Sequence, residues 1–391
     1  MSPQTAIAVM GTFDSKGQEH LFLKEAIERR GRRVVTLNVG TQHAPTFTPD
    51  IDLRPLQIAG RDKAIAATIV RAGRMLAELY AQGHISGVIS AGGGSGTYLV
   101  TSAMKALPLG VPKVMVSTVA AHDMAQVVGT KDITMMHSVG DLLGVNSLTG
   151  LILDRAAGAI CGMTARDWQA PGDKPRIGLS MFGFINAAAQ AVKDLLEAQG
   201  YEVVAFHANG IGGLALEELA AEGRFDAILD LAPHELADTL KNGYCKLIAR
   251  GRLEPLPGRG IPRLLVPGGL DCAVLEFTRD NIPAEYVGRK VFFYDFRSAV
   301  HLSPAESQVL TGQLADKLNR ATSAVKVLIP LQGWSAADAP GAPLHDPESN
   351  REFVDQLRRL LRPEIAVREV DLHINDPAFA SEAARAMTAM L

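Results

Sequence analysis

Gly87-Val88-Ile89-Ser90-Ala91-Gly92-Gly93-Gly94-Ser95-Gly96-Thr97 joins a short apolar run to a segment, Tyr98 to Ala106, whose apolar residues fall at helical spacing. Glycine at positions 92, 93, 94 and 96 leaves the main-chain amides unshielded and opens positive φ to the backbone. Between a strand and a helix, such a turn aims several N–H groups and the positive helix end at one point, which suits a phosphate or another anion. Ser95 and Thr97 bring hydroxyls to the same place. The competing reading is a tight turn that needs glycine for shape alone. The run is neither familiar phosphate fingerprint: no Gly-Lys-Ser/Thr closes it, and Thr97 stands where a dinucleotide loop has Gly or Ala.

On either side of this stretch, strands and helices alternate. Ala6 to Met10 reads as a buried strand, and Gly11-Thr12-Phe13-Asp14-Ser15-Lys16-Gly17 as the turn after it. A helix follows to Arg30, with Leu23, Ala26 and Ile27 on one face and Gly31 closing it. Val34 to Val39 is a second strand, 41–59 a polar loop, Arg61 to Gln82 a helix, and Lys113 to Ser117 another strand. Residues 123–153 have no clear period. Alternation of this kind predicts an α/β fold with a parallel sheet covered by helices. Ligands of such sheets gather outside the carboxyl ends of the strands. The turns Gly11–Gly17, Gly40–Gln42, Ser90–Thr97 and Ser117–Asp123 are therefore expected to line one crevice. Asp14 there either caps the following helix or holds Mg²⁺ beside a polyphosphate. Lys16 is either a solvated lysine or a neutraliser of phosphate; lysine near a helix N-terminus is unfavourable without an anion.

The polar, Pro- and Gly-containing segment Ala165 to Pro175 predicts a domain boundary, giving domains at 1–170 and 176–391. The alternation then restarts, with strands at Ile177–Met181, Glu202–Phe206, Ala227–Leu231, Leu264–Val266, Val291–Phe293, Val325–Ile329 and Ala366–Val370. Gly210-Ile211-Gly212-Gly213-Leu214-Ala215 satisfies Gly-x-Gly-x-x-Ala, with the acidic Asp230 further on. However, His207, Ala208 and Asn209 separate it from its strand, and that strand is the second of its domain. Ser95 lacks the second glycine of a nucleophile elbow, since Thr97 stands there. His234-Glu235 has Asp238 where a zinc helix would place a second His, so a helix start is the reading. His207, Gly212, Gly213 and Asp271 remain candidates for a second small-molecule site, the basis of a hydrolase or isomerase alternative.

The chain has 391 residues, 47% hydrophobic and 21% charged, with a net charge of −3, which suits a two-domain globular protein and argues against a nucleic-acid binder. Cys161, Cys245 and Cys272 are odd in number and far apart, so the expectation is reduced thiols, no metal spacing and a cytoplasmic location. The start of the chain lacks a basic-then-apolar leader, and no run of apolar residues is long enough to span a membrane.

Taken together, several motifs resemble the family of the tomato mosaic virus resistance protein. They are Gly11 to Gly17, Gly92 to Thr97, Leu107 to Lys113 with Val116-Ser117-Thr118, Asp132 to Asn146, Met181-Phe182-Gly183, Phe206 to Gly213, Glu235 to Asp238, and His373-Ile374-Asn375-Asp376. The resemblance implies two Rossmann-like α/β domains with a cleft between them, an ATP-binding N-terminal domain, and a homodimer. By resemblance, Gly11, Thr12, Asp14, Lys16, Gly92, Gly93, Gly94, Ser95, Gly96, Thr97, Ser117 and Thr118 surround the nucleotide. In the second domain the chain departs from the family at Ala232-Pro233-His234, Asn242-Gly243 and Tyr294 to Arg297. The resulting expectation is ATP with Mg²⁺, phosphoryl transfer to a small metabolite of unknown identity, Asp14 on the metal and Lys16 on the developing charge. The alternative from another class is a nucleotide-responsive binding protein without turnover.

Overall fold

The alternating apolar strands and amphipathic helices build two compact units, residues 1–170 and 171–391, in a computed structural model. It describes residues 5–54, 60–165, 168, 172–255 and 260–391. Within the expected boundary segment, 166, 167 and 169–171 lie outside the described residues.

Unit 1 runs β1 (Ala6–Gly11), α1 (Gly17–Glu28), β2 (Val34–Asn38), β3 (Ile51–Asp52), α2 (Arg61–Ala81), β4 (Ile85–Gly92), α3 (Gly94–Met104), β5 (Lys113–Ser117), α4 (Ala125–Val128), β6 (Ile133–His137) and α5 (Ser147–Met163). All strands are parallel, in the order β3-β2-β1-β4-β5-β6. Successive residues of β1 serve opposite faces. Ile7 and Val9 pack with Leu23 and Ile27 of α1 and Leu153 and Ile160 of α5. Ala8 and Met10 pack with Leu76 of α2 and Leu99 and Met104 of α3. The sheet is thus covered twice, and each fully buried aliphatic side chain contributes about 1.5–3 kcal/mol.

Strand order reverses between β1 and β4. In doubly wound sheets that is where the following turns part and leave a crevice. The two glycine-bearing turns flank this point. Lys113, in a motif that carries the family resemblance, has a structural role. Wholly buried, it donates to Pro108 O at 2.9 Å, Val111 O at 2.7 Å and Asp132 Oδ1 at 2.7 Å.

Unit 2 runs β7 (Arg176–Met181), α6 (Asn186–Ala198), β8 (Glu202–His207), α7 (Gly212–Ala221), β9 (Ala227–Asp230), α8 (Glu235–Lys241), β10 (Arg263–Leu265), β11 (Cys272–Leu275), β12 (Val291–Phe293), β13 (Ser298–His301), α9 (Pro304–Asn319), β14 (Val325–Pro330), α10 (Pro347–Leu360), β15 (Ala366–Val370) and α11 (Pro377–Thr388). Its main sheet is parallel, ordered β15-β14-β10-β9-β7-β8. Strand order reverses between β7 and β9. Both units are therefore Rossmann-like α/β layers, as the alternation predicts. One strand is misplaced by the sequence reading: Val291–Phe293 belongs to a separate antiparallel sheet, β11-β13-β12, whose outer two strands both pair with Ser298–His301. No helix among the described residues is long and apolar enough to cross a membrane.

Candidate functional site

Gly92 ends β4, Gly93 is the N-cap of α3, and Gly94 opens the helix. The helix therefore starts earlier than the apolar spacing from Tyr98 indicates. Of the two roles expected for these glycines, unshielded amides and positive φ, the second is absent. Positive φ occurs at none of Gly92, Gly93, Gly94 and Gly96. Nor does packing demand glycine at three of them. A Cβ placed on Gly93, Gly94 or Gly96 would come no nearer to another atom than 3.7, 3.9 and 4.0 Å respectively. The first hydrogen bond of the helix runs from Thr97 N to Gly93 O at 2.8 Å. Among the described residues the amides of Gly94, Ser95 and Gly96 have no acceptor. These are the orphan donors of a helix start, left without a capping side chain.

A cavity of about 290 Å³ opens in front of them, at the lower end of the size range for small-molecule sites. Three of the four expected turns line it: Thr12, Asp14, Ser15 and Lys16 after β1, Thr41 and Gln42 after β2, and Gly93 to Gly96 after β4. The Ser117–Asp123 turn does not. Thr97 and Ser117 are fully buried and bonded to each other, Oγ1 to Oγ at 2.7 Å, so both hydroxyls serve the fold. Thr118 donates its amide to Gly92 O at 3.1 Å and is absent from the lining, as are Gly11 and Gly92. The first turn of α2 adds Arg61 and Ile65, which the sequence reading passed over. Among the described residues Arg61 has no ion-pair partner.

Asp14 caps a neighbouring loop instead of its own helix. Its Oδ2 accepts the amides of Gln42 at 3.1 Å and His43 at 3.2 Å. The N-cap of α1 is Lys16, and its side chain makes no capping bond. Among the described residues Asp14 Oδ1, also buried, has no hydrogen-bond partner. Gly40 makes room for this carboxylate, since a Cβ there would lie 2.7 Å from Asp14 Cγ. The Lys16 ammonium rests on the carbonyl of Leu142, and no carboxylate among the described residues neutralises it. With Lys16 and Arg61 against Asp14, the lining carries one net positive charge.

His20, which the sequence reading also missed, pins the two turns together. It is fully buried on α1, on the face that carries Leu23 and Ile27. Nδ1 donates to Lys16 O at 2.6 Å, and Nε2 accepts from Ala91 N at 3.3 Å. Gly11 must stay small, because a Cβ there would meet Nε2 at 1.9 Å. Burial outweighs the hydrogen bonds and lowers the ring's pKa from 6.5 to about 4. The unfolded chain thus takes up a proton near pH 6.5 that the folded chain refuses until about pH 4. His20 therefore contributes stability above pH 6.5 that is lost as pH falls towards 4, a total of about 3 kcal/mol. Hydrogen exchange of the β1 and β4 amides checks this: protection should fall steeply across that window in the parent chain and only weakly in His20→Asn.

The second glycine turn is built on the opposite principle. Gly210 N and Gly213 N both donate to Glu235 Oε1, at 2.9 and 3.0 Å. Gly212 N and Ile211 N donate to Asn209 Oδ1, at 3.1 and 3.4 Å. Packing requires these glycines. A Cβ on Gly210 would sit 2.2 Å from Lys246 O, one on Gly212 2.0 Å from His207 O, and one on Gly213 1.9 Å from Glu235 Oε2. The protein's own carboxylate fills the place of a phosphate, which removes Gly212 and Gly213 as ligand donors. Asp230 is no ribose acceptor either. It is buried, accepts from Ser180 Oγ at 2.6 Å, and pairs with Arg252 and Arg263. Burial alone raises its carboxyl; the two guanidiniums outweigh this and hold it well below the usual range.

Among the described residues His207 and Asp271 share no hydrogen bond or ion pair. His207 ends β8, and Asp271 follows β10, with β7 and β9 between those strands. Three strand spacings, about 14 Å, separate β8 from β10. Asp271 is buried beside Ser335, whose Oγ donates to its Oδ2 at 2.8 Å, and burial together with the nearby Asp338 carboxylate pushes its pKa up from the usual carboxylate range.

Residues 5–169 match the N-terminal domain, and residues 174–391 the C-terminal domain, of the "Uncharacterised protein family (UPF0261)". A UPF0261 protein of Clostridium tetani is 34% identical, over 98% of both chains. The tomato proteins named ToMV susceptible protein tm-1(GCR26) and ToMV resistance protein Tm-1(GCR237) are 31% and 33% identical over 95% and 88% of this chain. The matches cover only 54% and 45% of those longer proteins. Among solved structures, MurG of Acinetobacter baumannii aligns over 99% of this chain and 100% of its own, at 13% identity and a TM-score of 0.25. Matched over both domains and nearly end to end, the chain belongs to the UPF0261 family, to which the tomato Tm-1 proteins are similar.

Proposed function

We propose that unit 1 binds ATP as its magnesium complex. One observation carries this: Gly93, Gly94 and Gly96 have neither a positive φ nor a packing contact that requires glycine, yet three unbonded amides point away from α3 beside a cavity. Glycine there is explained by a ligand that approaches the main chain more closely than a side chain would allow. The net positive lining selects an anion, with Lys16 and Arg61 supplying charge and the start of α3 supplying donors. Asp14 fits Mg²⁺, because Oδ1 is a buried oxygen without a hydrogen bond among the described residues, and Mg²⁺ is commonly held by one or two carboxylates together with substrate phosphates. Ile65 and Leu99 give the cavity an apolar side suited to the nucleoside.

Calorimetric titration of the full chain with Mg–ATP, ADP, AMP and inorganic phosphate tests the reading. Affinity should fall along that series, and Asp14→Asn should remove the Mg²⁺ dependence. Failure of all four to bind overturns it. Phosphate release from Mg–ATP in the presence of small carboxylic acids then separates phosphoryl transfer from binding without turnover.

A further inference from the structure

A second cluster lies in unit 2, past the ends of β9 and β10. His234 and Asp238, one helical turn apart, meet Cys245 from the following loop. The candidate ligand atoms all lie within 4.8 Å of one another, and all three residues are buried. The His234 ring is held on two sides. Phe182 stacks on it at 3.8 Å between centroids and 21° between planes, and Nδ1 donates to Gly269 O at 2.7 Å. In the neutral ring that bond puts the proton on Nδ1, and the Nε2 lone pair then faces Asp238 Oδ1 at 3.3 Å. Among the described residues Nε2 has no hydrogen-bond partner. Two acceptors thus face each other inside the protein, which is costly without a cation between them.

We infer that His234, Asp238 and Cys245 bind a zinc ion. The chemistry fits: imidazole nitrogen, thiolate sulfur and carboxylate oxygen form a zinc donor set, and a carbonyl on the far imidazole nitrogen is the usual support for a metal-bound histidine. The spacing fits as well. Zinc–nitrogen and zinc–oxygen bonds of about 2.0–2.1 Å give a tetrahedral edge of about 3.3–3.4 Å, the separation already present between Nε2 and Oδ1. Asp238 is further positioned by Val274 N at 2.7 Å on Oδ1 and Cys245 N at 2.6 Å on Oδ2. The main chain presses close: a Cβ on Gly243 would lie 2.8 Å from Asp238 Cγ, and one on Gly269 3.0 Å from His234 Cβ. The trio also stands beside the β7/β9 reversal, where sheets of this order take ligands. Three protein ligands leave a fourth position for water or an exchangeable anion.

The test uses the full chain, stripped with a chelator and reloaded against a chromogenic competitor. One zinc per chain is expected. X-ray absorption of the zinc-loaded parent chain should show one sulfur at about 2.3 Å among nitrogen and oxygen neighbours. Cobalt loading should give a thiolate charge-transfer band. Cys245→Ser should lose the band and bind zinc more than about 100-fold more weakly, beyond the range for losing a supporting group. Cys272→Ser, the control thiol, should retain both properties. A parent chain that yields zinc to the competitor, or a metal shell without sulfur, overturns the assignment whether or not the variants fold.

Discussion

Gly94→Ala and Gly96→Ala should bind ATP about 10- to 100-fold more weakly than the parent chain while melting at the same temperature or higher. The affinity loss corresponds to about 1.4–2.7 kcal/mol. It arises because a methyl group enters the space in front of the unbonded amides, where the phosphates must come close. The stability gain arises because alanine is favoured over glycine in a helix by up to about 1 kcal/mol, and neither position has a positive φ or a close neighbour to oppose it. Gly213→Ala supplies the contrast. Its Cβ would collide with Glu235 Oε2, so it should melt lower and leave ATP affinity unchanged. Calorimetry and thermal melts on the three variants read both quantities. Parent-like ATP affinity in Gly94→Ala and Gly96→Ala would exclude the loop as the phosphate cradle.

Arg252→Leu should be the most destabilising single change in unit 2. The Arg252 side chain has no exposure and pairs with Glu217 at 2.8 Å, Asp230 at 2.5 Å and Glu235 at 2.9 Å. Arg263 reaches only two of these, Glu217 at 2.6 Å and Asp230 at 2.7 Å. Three buried carboxylates share two guanidiniums in the parent chain; in the variant Glu217 and Asp230 keep Arg263, and Glu235 loses its guanidinium. Breaking one buried pair costs about 3–5 kcal/mol, a large part of a typical domain's 5–15. Urea unfolding followed by Trp334 fluorescence measures this. Trp334 is 1% exposed within unit 2, whereas Trp168 is 82% exposed and contributes little change. The deficit should narrow as pH falls from 7 to 5, because carboxylates without their cation protonate more readily and lose the unpaired charge. A loss below about 1 kcal/mol, or one independent of pH, would show that the network is not what holds this part of the unit together.

The two glycine turns look alike on paper and differ in the fold. Each has glycines after an apolar strand and before a helix, and the second comes closer to the dinucleotide pattern. Only the first keeps its amides free. The difference lies in Glu235, 22 residues beyond Gly213, which the start of α8 brings back beneath the turn. No local spacing carries that information. The same holds for His20. Its place on the buried face of α1 is readable from Leu23 and Ile27, but its reach across to Ala91 depends on β1 and β4 being neighbours.

Among the elements, continuous apolar runs were legible because a strand covered on both faces needs no alternation. Lys113–Ser117 is an example, with its end residues read correctly. α5 was not legible, since Gly150, Gly158 and Gly162 weaken its helical signal. Packing against α1 supports it nonetheless, and an Asn146–Thr149 capping box marks its start. The two-residue β3 and the small antiparallel sheet lack both the length and the period that a pattern requires.

Hydrophobic period and glycine placement thus suffice for two layered α/β units and for a ligand edge at the first sheet, because both are properties of consecutive residues. Which amides stay free, which charges meet, and whether His234, Asp238 and Cys245 come together are settled by strand order and loop return. Those bring residues distant in the chain within a hydrogen bond's length, a distance that no local pattern encodes.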